Sequence, residues 1–161
     1  MTTDPLTLAY LAGVIDSDGY ITITRASRKG KLYFAASVGI TGTRRQPHDL
    51  AASVWGGNVY QHVPKNPRHR TQFVWCRQGE TAAGIITDVL PFLRVKEDHA
   101  WLALECQELV VLGRLEDPYP WYGPNYDPTA ELEEMRDEMI TVLNQDRRAG
   151  PDGRRPPKVK S

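Results

Sequence analysis

Cysteine is nearly absent. Cys76 and Cys106 are the two in 161 residues and no CxxC occurs, which excludes a disulfide framework and a cysteine-ligated zinc site. Long apolar runs are absent too: no stretch approaches the ~18 residues of a membrane span, and the N-terminus lacks the basic flank of a signal peptide. A reducing, intracellular setting without a membrane partner is the expectation. Net charge is also missing, with 20 basic against 20 acidic residues, and at first this argues against a polyanionic partner. The distribution argues the reverse. Ten Lys/Arg between Arg25 and Arg77 stand against one acid, Asp49, for a local charge of +9, while Glu80 to Asp146 carries −11. The first segment has the electrostatic signature of a phosphate-binding surface, although a charge run by itself is equally a solvated face. The length is that of one domain with a real core, and no internal repeat is evident.

What is present begins with Leu8-Ala-Tyr-Leu-Ala-Gly-Val-Ile-Asp-Ser-Asp-Gly19. Asp4 can cap, Pro5 sits where a helix tolerates proline, and Leu8, Leu11, Ala12 and Ile15 recur at helical spacing, which predicts a helix from about Pro5 to about Ile15. Ala9, Ala12 and Gly13 form a small face that lets another helix backbone approach closely. Asp16 and Asp18 stand where the helix dipole disfavours anions by a few tenths to about 1 kcal/mol each. Either a divalent cation offsets that cost, or the pair is a solvated turn with Gly19 as a left-handed cap. An EF-hand does not fit, because loop position six is Ile21 and position twelve is Ser27.

The period then changes from helical to alternating. Tyr20 to Ala26 and Lys31 to Thr41 read as a hairpin across a Ser27–Gly30 turn, with Ile21, Ile23, Leu32, Phe34, Ala36, Val38 and Ile40 inward. A short helix from about Pro47 to Trp55 ends at Gly56-Gly57, and strands at Asn58–Val63 and Thr71–Cys76 flank a Pro- and Arg-rich loop. Phe73 and Trp75 face the core, while the phase of the third strand is ambiguous. Helices follow at Thr81–Leu90 and at Glu97–Leu112, the latter with a stripe of Trp101, Leu104, Leu109 and Leu112. The expected organisation is a core over 1–116, a Pro-rich linker over 117–128, an acidic helix over 129–146 and a basic disordered tail over 147–161. Leu132, Met135, Met139, Ile140 and Leu143 form the stripe of that acidic helix, capped by Asp127 or Thr129.

This order, opened by Leu11-Ala-Gly-Val-Ile-Asp-Ser-Asp-Gly19, resembles the LAGLIDADG homing endonucleases of the single-motif type, matching the motif at seven of nine positions with Val14 and Ser17 as departures. Val38-Gly-Ile-Thr41, Trp55-Gly-Gly-Asn-Val59 and Pro91-Phe-Leu-Arg-Val-Lys96 are similar to later landmarks in the same order. The resemblance implies an α+β fold with an αββαββα core and a saddle-shaped antiparallel sheet, here with an extra C-terminal helix. It implies a site-specific double-strand DNA endonuclease, acting as a homodimer on a long pseudo-palindromic target for mobility of its own gene or intron. The setting would be the cytoplasm or nucleoid of a bacterial or phage-infected cell.

By the same resemblance Asp18 is the essential metal ligand and catalytic residue, with the Gly19 carbonyl beside it and Mg2+ or Mn2+ as cofactor. Lys96 is the active-site lysine, Asp16 caps or packs at the helix end, and Ala9, Ala12, Gly13 and Asp16 belong to the dimer interface. A two-stranded ribbon fits the major groove, so Thr22, Thr24, Lys31, Tyr33, Ser37, Gln61 and Gln72 are expected to read bases. Arg28, Lys29, Thr43, Arg44, Lys65, Arg68 and Arg70, in turns and loops, are expected to hold the phosphate backbone. Where many relatives carry Gln or Asn after the second strand this chain has Gly42, which leaves that contact to Thr41, Thr43 or water. The alternatives are an RNA maturase, which makes RNA a further possible partner, and a non-cleaving DNA-binding regulator on the same fold.

Overall fold

A computed structural model describes residues 3–114 and 127–148, without the side chains of 145–148. The expected linker from 117 to 126 and the tail from 149 onward lie outside the described residues. The order is α1 (Pro5–Asp18), β1 (Gly19–Arg28), β2 (Lys31–Gly42), α2 (Gln46–Trp55), β3 (Tyr60–His62), β4 (Gln72–Gln78), α3 (Gly79–Val89), α4 (Glu97–Leu112) and α5 (Thr129–Arg148), with a single 3-10 turn at Leu90–Phe92. The strands form one antiparallel sheet in the order β1-β2-β4-β3.

Helix α1 starts as its sequence dictates, with the Asp4 carboxylate accepting the Thr7 N–H at 3.1 Å and Pro5 in the first turn. It runs three residues past Ile15, to Asp18, so both carboxylates lie in its last turn. Gly19 is not a left-handed cap: its φ is −100°, and it passes directly into β1. Its reason for being glycine is space. A Cβ there would lie 2.6 Å from the Gly39 carbonyl oxygen and 2.7 Å from Ile15 Cα, so the helix can cross the sheet this closely only without a side chain.

The hairpin is longer and its turn tighter than the sequence suggested. Arg28 pairs with Lys31 across a two-residue turn, and Lys29 and Gly30 have φ of 49° and 76°. Two positive φ values match the right-handed twist of the strands, and Gly30 meets that demand without steric cost. Ile21, Ile23, Phe34, Ala36, Val38, Ile40 and Trp75 fill the inner face. Trp75 stacks on Trp55 at 5.8 Å and donates its indole N–H to the Gly56 carbonyl, while Trp55 donates to Asp88, which ties α2 and α3 to β4.

Helix α4 is placed as read, but its buried arc is different. His99, Ala100, Leu102, Ala103, Cys106 and Gln107 face inward, and Trp101 is 52% exposed. The helix lies against the sheet through its small residues, where an indole has no room. Gln107 is inside because Ala36, one residue beyond the β2–β4 ladder, needs a partner: its N–H donates to Gln107 Oε1 at 3.1 Å. Helix α5 buries Leu132 and Met139 and packs Met135 and Leu143, whereas Ile140 is exposed. Glu133 anchors it to β1 through Arg25 at 2.8 Å. Asp127 accepts the Thr129 hydroxyl and N–H, which hold its carboxyl below the usual carboxylate range.

Candidate active site and nucleic-acid face

The last turn of α1 places two carboxylates against the helix dipole, and the fold deals with them differently. Asp16 is consumed inside the chain. Its Oδ2 accepts the N–H of Arg94 at 2.7 Å and of Val95 at 3.3 Å, and its Oδ1 accepts the N–H of Lys96 at 3.0 Å. Three consecutive amides entering α4 thus receive the charge, which is the arrangement an anion favours at a helix start. Lys96 completes the exchange, because its ammonium donates to the Asp16 carbonyl oxygen and so neutralises the negative end of α1. Asp16, expected to cap or pack at the helix end, thus fastens α1 to α4. Asp18 receives none of this: it is exposed, and its carboxylate has no hydrogen bond or ion pair among the described residues. Asp18, Gly19 and Lys96 meet at one end of the molecule although 77 positions separate Gly19 from Lys96.

The donors suit a hard cation, since a free carboxylate and adjacent carbonyl oxygens are what Mg2+ or Mn2+ takes. Among the described residues no group of three or more His, Cys, Asp and Glu side chains converges.

The face of α1 that turns from the core is not quite the one read from its small residues. Ala12 is fully buried and Ala9 half-buried, while Gly13 is exposed with nothing within 4 Å of where a Cβ would stand. The outer stripe is Leu6, Tyr10, Gly13 and Ser17 at i, i+4, i+7 and i+11, with Leu6 at 78% and Tyr10 at 52% exposure. Ala12 drops out because Leu11, Ala12 and Ile15 together form the inner face.

On the sheet, register decides which side chains share the outer row. Thr22 pairs with Ser37, Thr24 with Ala35, Ala26 with Tyr33 and Arg28 with Lys31. These residues are exposed or half-buried apart from Ser37, which is 1% exposed. Tyr20 covers it: the Tyr20 ring lies over Gly39, whose missing side chain makes room, and its hydroxyl is bonded to Ser37. Burial pushes the Tyr20 phenol above its ordinary value, the Ser37 bond lowers it and the nearby Cys76 raises it. Lys31 carries its ammonium 5.7 Å above the Tyr33 ring, and the Thr24 hydroxyl donates to the Ala35 carbonyl.

Gln61 is on the other side. It pairs with Phe73 of the inner row, while Tyr60 opposite Val74 and His62 opposite Gln72 belong to the outer one. A three-residue edge strand carries no period of its own, so the sequence held no signal for this. Gln72 is exposed on the outer row as expected.

Among the basic residues, Arg25 is spent on Glu133, Arg45 on Asp49 at 3.1 Å, and Arg77 lies on the inner face against Gly57. Arg28, Lys29, Arg44, Lys65, Arg68 and Arg70 are exposed and carry no ion pair among the described residues, and Thr43 is exposed beside Arg44. Asn66 holds the loop of Lys65, Arg68 and Arg70 in a turn by accepting the Arg68 N–H at 3.0 Å.

No protein-family model and no curated protein matches the chain. Solved structures do. The homing endonuclease I-CvuI, in complex with the I-CreI target and Mg2+, matches over 85% of this chain and 82% of its own, at 20% identity and a TM-score of 0.63. The archaeal intron-encoded homing endonuclease I-Vdi141I, complexed with DNA, matches over 85% and 84%, at 12% identity and a TM-score of 0.64. The LAGLIDADG homing endonuclease I-GzeII, with its DNA target, matches over 99% of this chain and 54% of its own, at 13% identity and a TM-score of 0.62. The chain therefore has the α+β fold of the LAGLIDADG homing endonucleases.

Proposed function

We propose that the chain is a site-specific, double-strand DNA endonuclease that works as a homodimer with a divalent metal and serves the mobility of its own gene or intron. The observation that carries this reading is the division of labour at the end of α1. Asp16 and Lys96 are locked into the structure, and Asp18 alone is left for an outside ligand. That the neighbours I-CvuI, I-Vdi141I and I-GzeII were solved with DNA supports the substrate class.

In this reading Asp18 and the Gly19 carbonyl hold the cation. When bound, the ion supplies positive charge against the reacting phosphate and the leaving oxygen. Lys96, held at the end of α1, adds fixed positive charge to the same place without having to reorganise. The outer row reads the duplex through Thr22, Thr24, Lys31, Tyr33 and Gln72, joined by Tyr60 and His62. Arg28, Lys29, Thr43, Arg44, Lys65, Arg68 and Arg70 grip phosphates. Selection of cleaved duplexes from a random library in Mg2+ tests the whole reading. A recovered site with two-fold symmetry is the expected result, and binding without cuts would favour the non-cleaving regulator.

The second copy is assigned to the Leu6, Tyr10, Gly13 and Ser17 stripe, because this is the exposed face of the helix that ends in Asp18 and the open Gly13 lets a partner helix close in. Gly13→Leu should give a monomer in sedimentation velocity, at no cost to the fold, because the new side chain meets nothing in its own chain. Replacing a helical glycine even gains about 0.5–1 kcal/mol. A variant that still dimerises would remove this face from the interface.

Cysteine chemistry reports on the DNA face. Burial pushes the Cys106 thiol up to about 11, so a thiol reagent at neutral pH should modify the half-buried Cys76 and spare Cys106. Cys76 shares the outer row with Gly39 and Gln78, so bound duplex should slow its labelling. An unchanged rate would take the central sheet out of the proposed interface.

A further inference from the structure

Between β2 and α2 the chain carries two adjacent arginines with different fates. Arg45 is engaged: its guanidinium meets Asp49 and lies 5.9 Å over the Phe73 ring. Arg44 is exposed and has no side-chain partner among the described residues. Its main chain, however, is held. His48 is 1% exposed, and its Nδ1 lies 2.9 Å from the Arg44 carbonyl oxygen. Since a carbonyl only accepts, Nδ1 bears a proton. The ring's Nε2 is buried with no hydrogen-bond partner among the described residues. The ring packs against Phe73 at 6.2 Å and takes the space beside Gly42, where a Cβ would stand 3.6 Å from its Cε1.

The cost of this arrangement needs an explanation. A buried imidazole with one nitrogen unsatisfied is a poorer filler than leucine. What it supplies instead is a bond two residues upstream of α2, to a carbonyl the helix does not use. The Arg45 carbonyl already takes the N–H groups of His48 and Asp49, and α2 has no side-chain cap. The imidazole thus extends the order of the helix back to Arg44.

We propose that His48 is a positioning residue that fixes the Arg44 backbone so that its unpaired guanidinium is presented to a DNA phosphate. This rests on the endonuclease reading for its ligand and adds to it the device that holds one contact. The binding cost of an arginine on a phosphate is read most directly from salt: each phosphate contact contributes about 0.9 to the slope of log K against log salt on duplex DNA.

The test is duplex binding across a salt series for wild type, Arg44→Ala, His48→Leu, His48→Asn and the Arg44→Ala/His48→Leu double variant. His48→Leu should lower the slope by about one contact, as Arg44→Ala does, and the double variant should lose no more than either. His48→Asn, which keeps a donor near Nδ1, should retain the wild-type slope. A wild-type slope in His48→Leu, or additive losses in the double variant, overturns the proposal. Hydrogen exchange on the free protein separates the two levels. Residues 43–46 should exchange faster in His48→Leu and not in His48→Asn, and unchanged exchange overturns the hold on Arg44. Wild type that binds no duplex while His48→Leu still loosens 43–46 overturns the DNA reading and its phosphate, leaving the hold itself standing.

Discussion

Asp18→Asn is expected to bind duplex DNA about as well as wild type and to cleave it at least about a thousandfold more slowly. A bound metal contributes several kcal/mol to phosphoryl chemistry, and each ~1.4 kcal/mol is tenfold in rate. Losing about 4 kcal/mol of that stabilisation accounts for the figure. Binding should survive because the substitution removes a negative charge from the surface proposed to approach phosphates. The substitution is also a clean one. Asp16 caps three amides and Lys96 bonds the end of α1, so changing either disturbs the junction of α1 with α4. Asp18 carries no hydrogen bond or ion pair among the described residues, and its loss should leave thermal unfolding unchanged. Single-turnover cleavage in Mg2+, beside equilibrium binding in Ca2+, reads both halves. Cleavage that persists in Asp18→Asn would remove this carboxylate from the chemistry and, with it, the proposed metal site.

Gly19→Ala should be the most damaging single methyl in the protein. The new Cβ would meet the Gly39 oxygen at 2.6 Å and Ile15 at 2.7 and 3.0 Å, and all three are backbone atoms with no rotamer to escape into. Conformational strain is not the cause, since a φ of −100° is open to any residue. Overpacking of this kind costs about 1–3 kcal/mol and sometimes more. At about 2–4 °C per kcal/mol for a chain of this size, a 3 kcal/mol loss lowers the melting temperature by roughly 6–12 °C. Gly84→Ala, inside α3 and outside the proposed interface, is the control, because its Cβ meets nothing and the helix gains. Equal melting of Gly19→Ala and wild type would mean that helix and sheet do not cross as closely as described.

Much of the architecture was legible locally. Glu97–Leu112 was read to the residue, because nothing in that stretch breaks a helix. The hairpin alternation placed Ile21, Ile23, Phe34, Ala36, Val38 and Ile40 on the core face, since a half-buried strand must alternate. The motif that ends in Asp18 and Gly19 carried the family resemblance, and the solved structures support the fold. Errors arose where packing outvoted pattern. Trp101 belongs to an apolar stripe by spacing, yet the helix meets the sheet through Ala100 and Ala103. Ser37 falls on the outer row by alternation, yet a neighbouring tyrosine covers it. Gln61 was read from a strand over Asn58–Val63 whose phase is ambiguous; the strand is three residues long and its register sets Gln61 opposite Phe73 of the inner row.

The sequence by itself determined the kinds of element, their order, the inner face of the hairpin and the presence of two acids at the end of the first helix. Those follow from periodicity, caps and turn residues, which act over a few neighbours. Only the tertiary structure decided how the first of those acids is spent. Asp16 finds its amides at Arg94, Val95 and Lys96, contacts that no spacing within α1 can foretell. The same holds for Gly19, whose lack of a side chain answers to Gly39 across the sheet, and for His48, whose value lies in a carbonyl outside its own helix. Local pattern makes the parts, and the distant partners that satisfy their charges and hydrogen bonds assign the roles.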